Sequence, residues 1–220
     1  MRLHVQDPHR LAGLLMLAAS VPLLAIGAGL PKLPSLGGGS EAATADLGGQ
    51  QEKLVADYVS ANKDVLGANS KMLSALGMKT EAETAKATAD ALTAGATKGN
   101  LSDANKAVDE GSKAIAAAIG SKPELSAESK VLYAEGLVSL VSGVQKYVGM
   151  KDSVTSFSSG LKGASVMQAG KLQSGAYVAQ TFPGNLTNLG KTMKSAVDFA
   201  KSAKIPVPAG TDDVMAALGS

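Results

Sequence analysis

Residues 132–150 read LYAEGLVSLVSGVQKYVGM. Placed at 100° per residue, Glu135, Ser139, Ser142 and Lys146 fall on one strip about 60° wide, with Tyr133, Leu137, Leu140, Val141, Val144 and Val148 opposite. Apolar or small side chains hold the rest of the circumference. Leaving a Leu or Val wet forfeits about 1.5–3 kcal/mol, so a helix over about 127–149 is expected to be enclosed on most sides. Membrane crossing is the rival explanation. Glu135, Lys146 and two glycines in a span barely long enough argue against it. The stretch predicts the central helix of an all-α bundle, opened by Ser126 as N-cap.

Working outward, helical spacing continues on both sides. Leu54, Tyr58, Ala61, Val65, Ala68, Met72 and Leu76 share one helical face, and Gly77 stops that helix. Thr80-Glu81-Ala82-Glu83 has the spacing of a capping box. It predicts a second helix with an alanine-lined face at Ala85 and Ala89, ended by Gly95. Ser102 is read as the cap of a third helix carrying Ala104, Val108, Ile115 and Ile119, closed by Gly120 and Pro123. Both of these helices are expected to be peripheral. After Asp152 no acid occurs until Asp198. Phe157, Met167, Tyr177 and Phe182 stand in that weakly charged region, read as a broken fifth helix and a sixth. Pro183-Gly184 is expected to turn the chain into a last long helix through Leu186, Leu189, Met193, Val197 and Ala200. Pro206 and Pro208 end it, and Thr211 caps a short terminal turn. The expectation is an antiparallel bundle of six or seven helices with short loops.

The first thirty residues differ from the rest. Arg2 and Arg10 precede an uncharged run from Leu11 to Leu30, and PKLPSLGGGS follows. A charged lead, an apolar stretch and small residues at its end describe an export signal. Ala25-Ile26-Gly27 places cleavage after Gly27, leaving no transmembrane anchor. Retention as an anchor is the alternative, since twenty uncharged residues can cross about 30 Å of hydrocarbon; Pro22 and the glycines favour cleavage. The organisation expected is an export signal over 1–27, a flexible Gly/Pro/Ser/Ala-rich spacer over 28–49 and one helical domain over 50–220.

Cleavage removes both arginines, both histidines and Asp7, leaving 19 lysines against 18 acids and no Cys or Trp. Zinc and copper sites are implausible without His or Cys. Nucleic-acid binding lacks arginine, a basic stripe and clustered aromatics. Charge is unevenly spread: residues 41–128 hold 13 acids and 9 lysines, whereas 129–211 hold 9 lysines and 3 acids. The absence of cysteine means that packing alone stabilises the domain. An exported, bacterial periplasmic or cell-surface setting is expected.

Four patterns could carry chemistry. Gly184 to Thr192 resembles a phosphate-cradling loop in composition, but five residues, not four, separate Gly184 from Gly190-Lys191-Thr192, and Leu186 and Leu189 fit a helix face. Ser60-Ala61-Asn62-Lys63 and Ser159-Gly160-Leu161-Lys162 match a serine–lysine pattern; its companion elements are absent, and solvated helix lysines explain both. Asp109-Glu110 and Asp212-Asp213 lack the spacing of a calcium loop. Glu135 is the acid in the most apolar surroundings, and its place on the strip with Ser139 and Lys146 gives it a solvated or paired structural role.

The reading is therefore non-enzymatic, with no catalytic residue, metal or cofactor assigned. One expectation is an apolar ligand such as a lipid held between helices by Leu137, Val141, Val144, Phe157, Met167, Tyr177 and Phe182. The same residues would also serve as plain core. The alternative is a structural or adaptor protein of an envelope assembly, marked by a closed core and an apolar patch outside.

Overall fold

The computed structural model describes residues 40–219, with side chains from Leu47 onward. The expected signal and most of the spacer lie outside the described residues. Eight helices follow in order: α1 (Ser40–Ala75), α2 (Lys79–Ala91), α3 (Lys98–Gly120), α4 (Ala127–Gly149), α5 (Lys151–Leu161), α6 (Val166–Lys171), α7 (Gln173–Ser202) and α8 (Thr211–Leu218). The described residues contain no strand. The all-α bundle is thus observed, with eight helices among the described residues where six or seven were expected.

The bundle is organised on α1 and α4, which run antiparallel. Leu137, Leu140 and Val144 are fully buried, as an enclosed α4 requires. Their close approach is set by small residues seven apart on each helix. A Cβ at Gly136 would lie 2.6 Å from Met72 Cγ and 3.2 Å from the Ala68 carbonyl oxygen, and one at Gly143 would lie 2.7 Å from Val65 Cγ2 and 3.1 Å from that of Ala61. Dispersion gained by backbones packed this closely replaces the contacts that larger side chains would make. The polar strip of α4 lies along the edge of this seam. Glu135 pairs with Lys71 at 3.7 Å, Lys146 with Asp64 at 2.8 Å, and Ser142 donates to Asp64 at 2.6 Å.

Several local expectations are corrected. α1 starts at Ser40, ten residues before the expected onset of order near Gln50, and Gly48 and Gly49 lie inside it. It packs on α2, α3, α4, α5 and α7, so α1 is as central as α4. α3 is not peripheral: it packs on α1, α2 and α7, and Leu101, Ala104 and Ile115 are buried. Thr80 does not cap α2. The Gly77 turn (φ +82°) lets the Met78 amide close α1 on the Leu73 carbonyl, and the Met78 carbonyl then accepts from Ala82, so helix resumes before Thr80. α3 is capped at Thr97, five residues before Ser102, through a reciprocal box with Asn100. The N-cap at Ser126 is as expected.

Pro183-Gly184 does not turn the chain either. Pro183 is interior to the 30-residue α7. An internal proline costs about 3 kcal/mol, but Val178 and Phe182 before it and Leu189, Met193 and Val197 after it are all buried on one side. Continuing the helix keeps all five in the core, and that burial outweighs the cost. Gly184 through Thr192, the loop-like stretch, is therefore helical. At the far end Thr211 is the first residue of α8; the position before it is Gly210, and the Thr211 hydroxyl donates to the Pro208 carbonyl at 2.7 Å.

Candidate functional site

Packing decides first what the expected ligand residues do. Leu137, Val141, Val144, Phe157 and Phe182 are buried against protein. The Phe157 ring fills the space beside Gly175, and Phe182 stacks on Tyr147 with centroids 5.9 Å apart. Tyr177 is half-buried and uses its hydroxyl to accept from Asn105 Nδ2 at 2.9 Å. Met167 stands apart, 80% exposed on α6. The seven residues do not share one chamber.

Tyr177 belongs to a polar network where α1, α3, α4 and α7 meet. Tyr58 donates to Asn105 Oδ1 at 2.7 Å and accepts from Asn185, and its ring meets the Tyr147 ring edge-on at 5.4 Å. Burial raises the phenol pKa of Tyr58 and, together with the facing Tyr58, that of Tyr147. Neither phenol is poised as a base near neutral pH. Buried networks of satisfied groups fix one packing arrangement. Asn62 donates to the Tyr58 carbonyl within α1 and Asn69 to the Val108 carbonyl of α3, while both side-chain oxygens are buried without a partner. A Cβ at Gly111 would overlap Asn69, so α3 is shaped around that amide.

The serine–lysine candidates do not form their pairs. Lys63 donates to the Leu92 carbonyl at 3.2 Å, whereas Ser60 accepts from Lys146, which also pairs with Asp64. An ammonium that donates to the serine oxygen takes no proton from it. Among the described residues no three His, Cys, Asp or Glu side chains cluster to hold a metal. A mixed-charge crevice of about 260 Å³ between α3 and α7 is lined by Asp109, Lys113 and Lys191, with Ser112, Thr192 and Ser195.

A different surface stands out by its chemistry. Val131 and Val138, seven apart on α4, are 61% and 57% exposed. With Ala134 they form one wall of a groove of about 380 Å³ whose other wall is Pro206, Val207 and Pro208. Lys130 and Glu135, of opposite charge, complete the lining. The second wall is pinned at both ends: the Ile205 amide bonds to the Ala200 carbonyl at 2.8 Å, and Thr211 holds the Pro208 carbonyl. Two prolines fix their own φ angles, so the groove is pre-shaped. Sequence reasoning missed it. Val131 and Val138 lie about 40° and 60° round the helix from Glu135, and that adjacency to the polar strip was the available signal; the 206–208 wall gave none.

Among the described residues no helix is long and apolar enough to cross a membrane. The chain matches no family model, no curated protein and no solved structure.

Proposed function

We propose that this protein is a non-enzymatic adaptor of the bacterial envelope that works by holding a partner protein in the groove between α4 and residues 206–208. The observation that carries the reading is an apolar groove outside a filled core: Val131 and Val138 are wet while Leu137 and Val144, on the same helix, are fully buried. Leaving two valines exposed forgoes burial free energy that a partner's apolar side chains would recover. The occupant fits a protein segment better than an acyl chain. The groove measures about 380 Å³, and Lys130 and Glu135 on its margin offer one charge of each sign to a polypeptide flank. Pre-shaping by the prolines lowers the ordering cost of binding.

The envelope setting rests on Arg2 and Arg10 ahead of the uncharged run Leu11 to Leu30. A lipid held inside the bundle is the less favoured reading, because five of the side chains expected to line its chamber are buried against protein and Met167 stands apart, exposed on α6.

The test is a photo-crosslinking amino acid placed at Val138 of the full chain in its own host, with a second at exposed Gln145 outside the groove. The expected result is a discrete protein adduct from position 138, absent from 145 and abolished by Val131→Glu. Adducts of equal yield from both positions, or none from 138, would refute the groove as the working surface.

A further inference from the structure

Between Leu161 and buried Leu172 the chain makes an excursion that touches the core only through half-buried Ala164. None of the six residues of α6 is buried, yet it carries the two most exposed large apolar side chains of the described protein, Val166 at 93% and Met167 at 80%. The excursion is nonetheless held in shape. Ser165 and Gln168 form a reciprocal capping box, with the Gln168 amide donating to Ser165 Oγ and the Ser165 amide to Gln168 Oε1 at 2.9 Å. At its base Gln51 of α1 clips both sides: Gln51 Nε2 donates to the Lys171 carbonyl at 3.2 Å, and Gln51 Oε1 accepts from the Gly175 amide at 3.0 Å. An element that is capped, clipped and unburied is built to present its tip.

We infer that the α6 tip is a docking point for an anionic lipid surface, with Val166 and Met167 entering the interfacial region and Lys162 and Lys171 meeting the headgroups. Charge identifies the partner. Lys162 and Lys171 flank the tip, and no acid occurs from residue 153 to 197; α1 brings Glu52 beside Gln51 to this end, with Glu41 and Asp46 nearer its start. Basic residues beside a membrane attract anionic lipid by about 1 kcal/mol each, and apolar side chains projecting past them add the insertion term. Shape points the same way. A projecting tip enters a soft medium without needing a complementary cavity, whereas a protein partner would, and the groove on α4 with its margin of both charges is the surface that fits one. The chain also enters α1 at this end of the bundle, since Gln51 and Leu47 lie against α5, α6 and the start of α7.

The chain contains no cysteine, so a single introduced one can be labelled uniquely. The experiment is Met167→Cys in the full chain carrying an environment-sensitive nitrobenzoxadiazole probe, titrated with phosphatidylcholine vesicles containing 30% phosphatidylglycerol or none. Glu124→Cys, an exposed position at the opposite end of the bundle, is the control. The expected result is a blue-shifted emission and at least about two-fold intensity gain from position 167 on anionic vesicles only, with position 124 unchanged. Lys162→Ala with Lys171→Ala should weaken the apparent partitioning by roughly thirty-fold, two lysines at the figure above. A position-167 probe that stays in a watery environment, responds equally to both vesicle types, or responds no more than position 124 would overturn the inference. Val131→Glu, which disables the α4 groove, should leave the signal unchanged, so this result stands or falls apart from the adaptor reading.

Discussion

A methyl group added at Gly143 would sit 2.7 Å from Val65 Cγ2 and 3.1 Å from the Ala61 carbonyl oxygen, a stiff side chain and a fixed backbone atom. Gly143→Ala is therefore expected to destabilise the protein by about 1–3 kcal/mol through overpacking. Gly67, also inside a helix, has nothing within 4 Å of the same position. Gly67→Ala is expected to stabilise by roughly 0.5–1 kcal/mol, because alanine loses less backbone entropy in a helix. Opposite shifts in the urea midpoint check the pair, and two shifts of the same sign would mean that α1 and α4 are not in this register. At this scale part of the structure was legible. Ser126 stood before a strong apolar run and caps it. Thr80 had the right pattern but came too late, because the Met78 carbonyl had already begun the helix; Thr97 was overlooked because its partner is Asn100, not Glu or Gln.

Elements were read well where their apolar positions repeat and poorly where a breaker residue competes with burial. Pro183 shows why. Local rules stop a helix there, yet five buried side chains on one face of α7 hold it together, and Pro183 itself is exposed. Replacing the proline restores an amide that can bond within the helix. Pro183→Ala should raise stability by about 1–3 kcal/mol, seen as a higher thermal midpoint at unchanged helical circular dichroism. A lower midpoint would show that the bundle depends on the proline's local geometry. The groove was illegible for a related reason. Its walls are residues 131–138 and 206–208, and only the close packing of α4 on α7 and α8 brings them near each other.

For the whole molecule, the scarcity of aromatics concentrates its pH response. Burial raises the pKa of Tyr133 as it does those of Tyr58 and Tyr147, all above the ordinary 10.0. In the unfolded chain these phenols ionise near 10, while in the folded chain they stay protonated to higher pH. Stability is thus intact below about pH 10 and falls as pH rises through and beyond it. The 295 nm absorbance of these tyrosinates should appear together with the loss of helical signal; smooth titration over an intact fold would contradict the closed core.

The interior is packed full, and the proposed working surface is the α4 groove outside it. Native mass spectrometry of the protein purified from its own host, with lipid extraction of the same sample, tests it most directly. The expected result is a chain free of stoichiometric lipid and bound to a protein partner that Val138→Lys releases. A lipid recovered at one equivalent per chain, with Val138→Lys making no difference to any complex, would contradict it.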